Sequence, residues 1–484
     1  MTDRLRDAYD PERFRAQGHQ LIDSLADYLA NMQRDPRTAV LPWQLPEDRL
    51  ENWQADYQKA PDAQVNRFWD VVVQQSMHLH HPHYVGHQVA PPAPVAALAG
   101  LVSGFLNNGM AVYEMGPVST ALERVVVKQV ADMIGYGPAA GGLMTSGGTL
   151  SNLTALLAAR QHQVQEAWQT GTAEPLALLV SEEAHYCIDR AVKVMGWGED
   201  GIIKVPTDDN FKMRAERLEG CYQRARADGR RVIAVVGSAC TTSTGSYDPL
   251  DAIADFCEQH QLWFHVDGAH GAPAAFSPDY RHLVRGLERA DSITIDFHKM
   301  MLTPAITTGL LFKNEAHSYQ TFAQRASYLL SDTEGEWFNS GKRAFECTKR
   351  MMSLQVYSIL RTYGPEIFTD NVNHLYGLAR TFARMIEQRP ALELALPPEA
   401  NIICFRYVGD SSDASASDAS SLDQLNAALR QEMLEDGKFY LVQTQLRGRQ
   451  YLRTTLMNTF TTEAMLSQLL DAVEATAQRI IGAE

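Results

Sequence analysis

Apolar positions fall into three regimes along the chain. In the first ninety or so residues they recur near the helical period, as Phe14, Leu21, Ile22, Leu25, Tyr28 and Leu29 do against a polar background. Such a stretch has one apolar face and little core of its own, so it is expected to pack on something else, a second copy of the chain included. From about Glu114 to Gly364 the pattern changes to short apolar runs alternating with helical segments, at 176–181, 202–205, 231–238, 262–266, 292–295 and 309–312. Several are rich in Val and Ile and apolar on both faces, as strands buried between two helix layers require. Strand–helix alternation predicts an α/β domain with a mostly parallel sheet.

Past Gly364 a helical stretch leads to a strand at 402–407 and then to the tract Asp410-Ser-Ser-Asp-Ala-Ser-Ala-Ser-Asp-Ala-Ser-Ser, whose low complexity reads as a solvated loop. Strand-like runs at 439–445 and 450–456 flank the turn Arg447-Gly448-Arg449, and a helix over 462–480 follows. Strands with helices on one side make a small α+β domain. The expected division is therefore 1–95, a helical segment packing on a dimer partner; 96–365, a large sheet domain; and 366–484, a small C-terminal α+β domain. Residues 84–113 carry no formal charge, but Pro91, Pro92, Pro94, Asn107 and Asn108 interrupt them. The apolar part, 95–106, is too short to span about 30 Å of hydrocarbon, so a buried helix is expected there and no membrane partner.

Composition narrows the classes. Hydrophobic residues at 45% and charged residues at 21% suit a globular chain with a sizeable core. A net charge of −15 repels phosphate backbones, so no nucleic-acid partner is expected. None of the six cysteines forms a CxxC pair, which argues against a zinc knuckle or a disulfide framework and for a reduced, cytoplasmic protein. The first twenty residues hold no apolar core of a secretory signal. His78, His80, His81, His83 and His87 invite a metal, but no carboxylate or cysteine pattern completes a site, so none is expected.

Three features carry chemistry. The β-branched run Ser292-Ile-Thr-Ile-Asp-Phe-His-Lys299 ends in a lysine, and ligands gather at the carboxyl ends of strands in open parallel sheets. Alone, a lysine there is ordinarily a surface charge. A second apolar strand ends in Asp267, followed by the small residues Gly268, Ala269 and Gly271. A carboxylate so placed needs a cationic partner, which a protonated pyridine nitrogen would supply, and the small residues leave room for a flat ring. Thr145-Ser-Gly-Gly-Thr-Leu-Ser-Asn152 leads into a helical run, where glycines offer backbone N–H groups to a phosphate; a plain helix cap explains the same residues. No GxGxxG follows a first strand, which disfavours a dinucleotide. Lysine, acid and phosphate cradle together point to pyridoxal 5′-phosphate.

With these motifs in order, the chain resembles the pyridoxal-phosphate-dependent group II decarboxylases that act on glutamate, cysteine sulfinate and aromatic amino acids. The resemblance runs from about His81-Pro-His-Tyr84 to Arg453. It is carried by Tyr113-Glu-Met-Gly-Pro-Val118, the Ser146–Asn152 motif, Glu183-Ala-His185-Tyr, Cys240-Thr-Thr-Ser-Thr-Gly245, His265-Val-Asp-Gly-Ala-His270 and Asp296-Phe-His-Lys-Met-Met301. It implies the aminotransferase-like fold of type I, a large sheet domain plus a small C-terminal domain, working as a homodimer. It further implies that Lys299 tethers the cofactor and Asp267 partners its ring nitrogen, with His185 on one ring face and Ala269 on the other. Gly148, Thr149 and His298 match phosphate-holding positions, and Thr241 lies in the stretch that meets the cofactor on the Asp267 side. Tyr328, in Ala326-Ser-Tyr328-Leu-Leu-Ser-Asp, matches the tyrosine that protonates the carbon losing carbon dioxide, and Arg453 matches an arginine that binds the substrate carboxylate. Without the resemblance, Tyr328 reads as a tyrosine packed on a helix and Arg453 as an exposed strand-edge residue.

Two positions depart from the family pattern. His87 stands where the glutamate enzymes place a glutamine that meets the side-chain carboxylate, and Asp296 stands where several relatives carry asparagine. The expected activity is decarboxylation of an L-amino acid to its amine, with a short acidic substrate such as aspartate, cysteine sulfinate or glutamate. A diaminobutyrate-like or aromatic substrate is the alternative. Aminotransferases share the lysine–aspartate pair, but Tyr328 and His185 speak against them, and Tyr328 also disfavours an aldehyde-forming oxidative decarboxylase.

Overall fold

The structure of the protein, a computed structural model, describes residues 1–34, 37–59, 65–322, 337–409 and 419–483. Tyr328 and residues 410–418 of the polar tract lie outside them. Two compact units divide the chain: residues 88–380 with 396–403, and residues 1–87 with 381–395 and 404–484.

The first unit is built on seven strands, β1 (Gly141–Thr145), β2 (Leu176–Ser181), β3 (Ile202–Val205), β4 (Arg231–Ser238), β5 (Trp263–Asp267), β6 (Ser292–Asp296) and β7 (Thr308–Phe312), in the order β1-β7-β6-β5-β4-β2-β3. The β2–β3, β2–β4, β4–β5 and β5–β6 pairs are parallel. Only β7 runs against its neighbours, β6 and β1. Leu178, Leu179 and Val180 of β2 are all fully buried, as a strand covered on both faces demands. One layer of core joins Leu178, Val180, Ile233, Val236, Trp263 and Phe312 to Leu156 and Ile188 from the flanking helices. The pairing also sets the site. Asp267 is paired with Thr294, so β5 and β6 deliver Asp267 and Asp296 to the same edge of the sheet.

The uncharged segment forms a helix, Pro94–Leu106, started by proline at its first position and closed by Asn107 in the left-handed region (φ 50°). It corrects the expectation of a buried helix. Its small residues Ala96, Ala99 and Ser103 are buried, whereas Leu98, Leu101, Val102, Phe105 and Leu106 are exposed. No helix among the described residues is long and apolar enough to cross a membrane.

The second unit carries a four-stranded sheet of β8 (Leu392–Leu394), β9 (Ile402–Tyr407), β10 (Val442–Leu446) and β11 (Arg449–Thr455), in the order β10-β11-β9-β8, with helices Ala419–Asp436 and Glu463–Ala483. The N-terminal residues are laced into this unit by backbone. Val40 N–H donates to the Gly437 carbonyl (2.8 Å), and Tyr84 bridges Tyr440. Around them Val40, Tyr84, Leu434, Tyr440 and Val442 form a small buried cluster.

Candidate active site

Five strand ends converge on one cavity of about 330 Å³ in the first unit. β1 leads through Ser146 and Gly147 into the helix Gly148–Gln163; β2 ends just before His185; β4 is followed by Cys240 and Thr241; β5 ends at Asp267; and β6 runs into the helical turn Phe297–Met300 that carries Lys299. This is the edge where open α/β sheets hold ligands. Gly148, Thr149, His185, Thr241, Asp267, Ala269, His298 and Lys299, all expected from the sequence, line it together.

Lys299 Nζ lies 3.1 Å from Asp296 Oδ2. Burial pushes the ammonium down, but the Asp296 and Asp267 carboxylates outweigh it and the net shift is upward. Asp296 also accepts from the Thr308 hydroxyl (2.5 Å), and His298 Nε2 stands 3.6 Å away. On the other wall, Asp267 takes Asn152 Nδ2 on Oδ2 (3.0 Å) and the Ala269 N–H on Oδ1 (3.2 Å), so both oxygens are oriented. His185 caps the helix Tyr186–Val194, its Nδ1 accepting from the Cys187 N–H (3.3 Å). Burial pushes His185 below its ordinary value, against the pull of Asp267. Thr241 is already engaged, its hydroxyl 2.8 Å from that of Thr244.

The helix Gly148–Gln163 has no side-chain cap, because its N-cap is Gly147 at φ +105°, a conformation L side chains rarely adopt. Its first N–H groups therefore face the cavity without a side-chain partner from the cap. A Cβ on Gly148 would stand 3.1 Å from Asp296 Oδ2, so glycine preserves the space between loop and acid. An amine at Lys299, a fixed carboxylate at Asp267 and an uncapped helix end are the groups that an aldehyde, a basic ring nitrogen and a phosphate would each require. The residues fit pyridoxal 5′-phosphate.

Sequence reasoning left two contributors without a role. Asn152 was visible only as the last letter of its motif, although four residues past Gly148 it returns to the same helix face. His265 was visible only as a neighbour of Asp267. Ser146 is engaged too, donating to Glu346 Oε1 (2.5 Å).

His87 and Arg453 belong to the other unit. Arg453, on β11, is 5% exposed. His87 is exposed, its ring 5.8 Å from that of Tyr440. It is nonetheless pushed below its ordinary value, first by the protein mass beside it and then by the guanidinium groups of Arg453 and Arg430. Other histidines of the cluster pack on aromatic rings and on each other, as His81 and His83 do at 4.8 Å between ring centres. His83 stacks on Phe439 at 4.1 Å, and His78 Nδ1 meets the Tyr28 hydroxyl at 3.2 Å.

Comparison with known proteins bears on this cavity. A family model described as the pyridoxal-dependent decarboxylase conserved domain matches residues 46–408. The aromatic-L-amino-acid decarboxylase of Bacillus atrophaeus is 26% identical, over 97% of this chain and 96% of its own length. The L-2,4-diaminobutyrate decarboxylase of Rhizobium meliloti is 30% identical, over 84% and 80%. The crystal structure of mouse CSAD in apo form is similar at a TM-score of 0.90 and 26% identity, covering 97% of this chain and 99% of that one.

Proposed function

This chain belongs to the pyridoxal-dependent decarboxylase family, and from that premise we propose that it converts a short acidic L-amino acid (aspartate, cysteine sulfinate or glutamate) into the corresponding amine and carbon dioxide. It is a carboxy-lyase that uses pyridoxal 5′-phosphate. When bound, the cofactor supplies an electron sink for the pair left on the α-carbon as carbon dioxide departs.

The chain's own residues do the rest. Lys299 tethers the cofactor, and Asp267 holds the proton at its ring nitrogen. His185 and Ala269 confine the ring, Thr241 borders it on the Asp267 side, and Gly148, Thr149 and His298 hold the phosphate. Tyr328 delivers a proton to the α-carbon, Arg453 binds a substrate carboxylate, and His87 meets the substrate side chain. The observation that carries the cofactor roles is the meeting of Lys299, Asp267 and the uncapped Gly148 helix end on a single cavity. Support for an acidic substrate is the cationic neighbourhood of His87, where Arg453 and Arg430 both act. A diamino or aromatic substrate is the second reading. The activities named for the two curated relatives favour it, and for an aromatic side chain so does the same shift, which keeps His87 uncharged near neutrality.

The working form is a homodimer. The outward apolar side of helix Pro94–Leu106 and the exposed Phe14, Ile22 and Leu25 of helix Pro11–Arg34 are the surfaces that a second copy would cover. A reducing, cytoplasmic setting matches the cysteine spacing. Purified holoenzyme offered single amino acids should release carbon dioxide fastest, per unit kcat/KM, from one of the three acidic substrates. A higher kcat/KM for 2,4-diaminobutyrate or an aromatic amino acid would overturn the substrate proposal, and a monomeric mass in sedimentation would overturn the dimer.

A further inference from the structure

Behind Asp267 a row of buried polar side chains crosses the sheet. Asn152 Nδ2 lies 3.0 Å from Asp267 Oδ2, and Asn152 Oδ1 lies 2.9 Å from His265 Nε2. His265 Nδ1 is 2.9 Å from Ser292 Oγ, which in turn accepts from Trp263 Nε1 at 2.9 Å. All four side chains are at most 1% exposed. A polar row so deep is costly unless each member finds its partner.

The two ends settle the direction of every bond between them. A carboxylate only accepts and an indole N–H only donates. Asn152 must therefore turn its amide nitrogen to Asp267, where its second N–H also reaches Cys187 Sγ (3.2 Å), and its oxygen to His265. That oxygen needs a donor, so His265 carries its proton on Nε2. Nδ1 is then an acceptor, the Ser292 hydroxyl donates to it, and the Ser292 oxygen remains open to the indole N–H. The opposite tautomer could donate from Nδ1 to the Ser292 carbonyl at 3.2 Å, but it would set a bare Nε2 against an amide oxygen.

We propose that Trp263, Ser292, His265 and Asn152 form a one-way donor relay that holds Asp267 as an acceptor aimed into the cavity, with His265 a positioning residue locked as its Nε2–H tautomer. The inference rests on the assignment of Asp267 to the cofactor's ring nitrogen made above. Burial agrees with the locked tautomer, holding His265 down at about 4. The titratable groups facing the relay are Asp267 and Cys187 at one end, and His162 and His317 against the Trp263 ring at the other.

Two measurements test it. In the holoenzyme, His265→Leu should lower kcat about tenfold with KM unchanged, the order expected when one buried hydrogen bond to a polar partner is lost. The visible band of the bound cofactor should shift in the same variant. His265→Gln, which can restore an N–H to Asn152, should recover most of both. In the cofactor-free protein, side-chain nitrogen–proton correlation spectra should show one histidine, absent from His265→Gln, as a neutral Nε2–H form from pH 5 to 8. Equal losses in the Leu and Gln variants with parental spectra would mean packing alone and overturn the relay, as would an Nδ1–H form or a histidine at this position titrating in that range. Asp267→Asn separates the two levels. If it is inactive while His265→Leu behaves as wild type, only the relay falls; if Asp267→Asn turns over normally, the ring-nitrogen assignment falls and the relay with it.

Discussion

Asp267 and His87 each stand at the edge of a buried region, one in each unit, but they are held in different ways. Asp267 is gripped on both oxygens, by Asn152 and by the Ala269 N–H, and it lies on a cavity whose other walls come from the same unit. His87 is exposed, touches Tyr440 through its ring, and is shifted first by the protein packed beside it and then by the charges of Arg453 and Arg430. A group fixed by short directional bonds has one chemical role. A group shifted by partial burial and by diffuse charge is held less tightly. The contrast explains why the proposed cofactor chemistry can be argued from one unit alone, whereas the proposed role of His87 in substrate recognition rests on a residue that geometry constrains less.

The hardest blow to the first region is Lys299→Ala. Without the amine, the absorption band of the tethered cofactor should vanish and carbon dioxide release should fall by about 10⁴-fold or more, as when a residue central to a catalytic unit is removed. A variant that keeps both would move the tether elsewhere. Tyr328→Phe comes next. Loss of a general acid costs about 10²–10⁴ in rate, so amine output should drop by that factor while carbonyl side products rise. Unchanged amine would remove Tyr328 from the reaction. Asp267→Asn should cost about 10²–10³ in kcat, the scale of removing one preorganised electrostatic partner, while the thermal transition stays in place. Turnover near wild type would show that grip on both oxygens does not imply function.

How much of this was legible in the sequence depended on whether a residue's neighbours in space were also its neighbours in the chain. β2 and β4 were legible because both faces are buried and Val, Ile, Leu and Ala crowd them, and β5 because Trp263, Phe264 and Val266 make an apolar run. β1 was not, since Gly141-Gly142 reads as a turn; a side chain at Gly142 would run into the Leu310 carbonyl of β7, so the glycine serves a close approach between strands. The reversed direction of β7 follows from residues 297–307. Parallel neighbours need a crossover of about a dozen residues or more, usually helical, and this stretch holds only the short turn bearing Lys299. The exposed side of helix Pro94–Leu106 escaped because its composition is apolar throughout. What decides burial is that Ala96, Ala99 and Ser103 share one face and the bulky residues the other. Lysine, acid and glycine loop were legible as separate motifs. The Asn152–His265–Ser292 row was not, because its members come from a helix and two strands and meet only in the folded sheet.

The smallest effect belongs to His87, and its sign can be worked out. Its ordinary value near 6.5 is lowered, first by the surrounding protein and then by Arg453 and Arg430, so the ring is neutral at pH 7 and gains charge only on acidification below that value. If His87 recognises a side-chain carboxylate, the ratio of kcat/KM for an acidic over a neutral amino acid should rise severalfold from pH 7.5 to pH 5.5. His87→Gln should flatten that rise, because an amide hydrogen-bonds a carboxylate equally well at either pH. Its stability should stay within about 0.5 kcal/mol of wild type, as for other exposed positions. A ratio that rises identically in both proteins would assign the pH effect to another group and leave His87 to shape the pocket. A ratio flat in both would remove His87 protonation from substrate selection and leave any carboxylate binding there to Arg453 and Arg430.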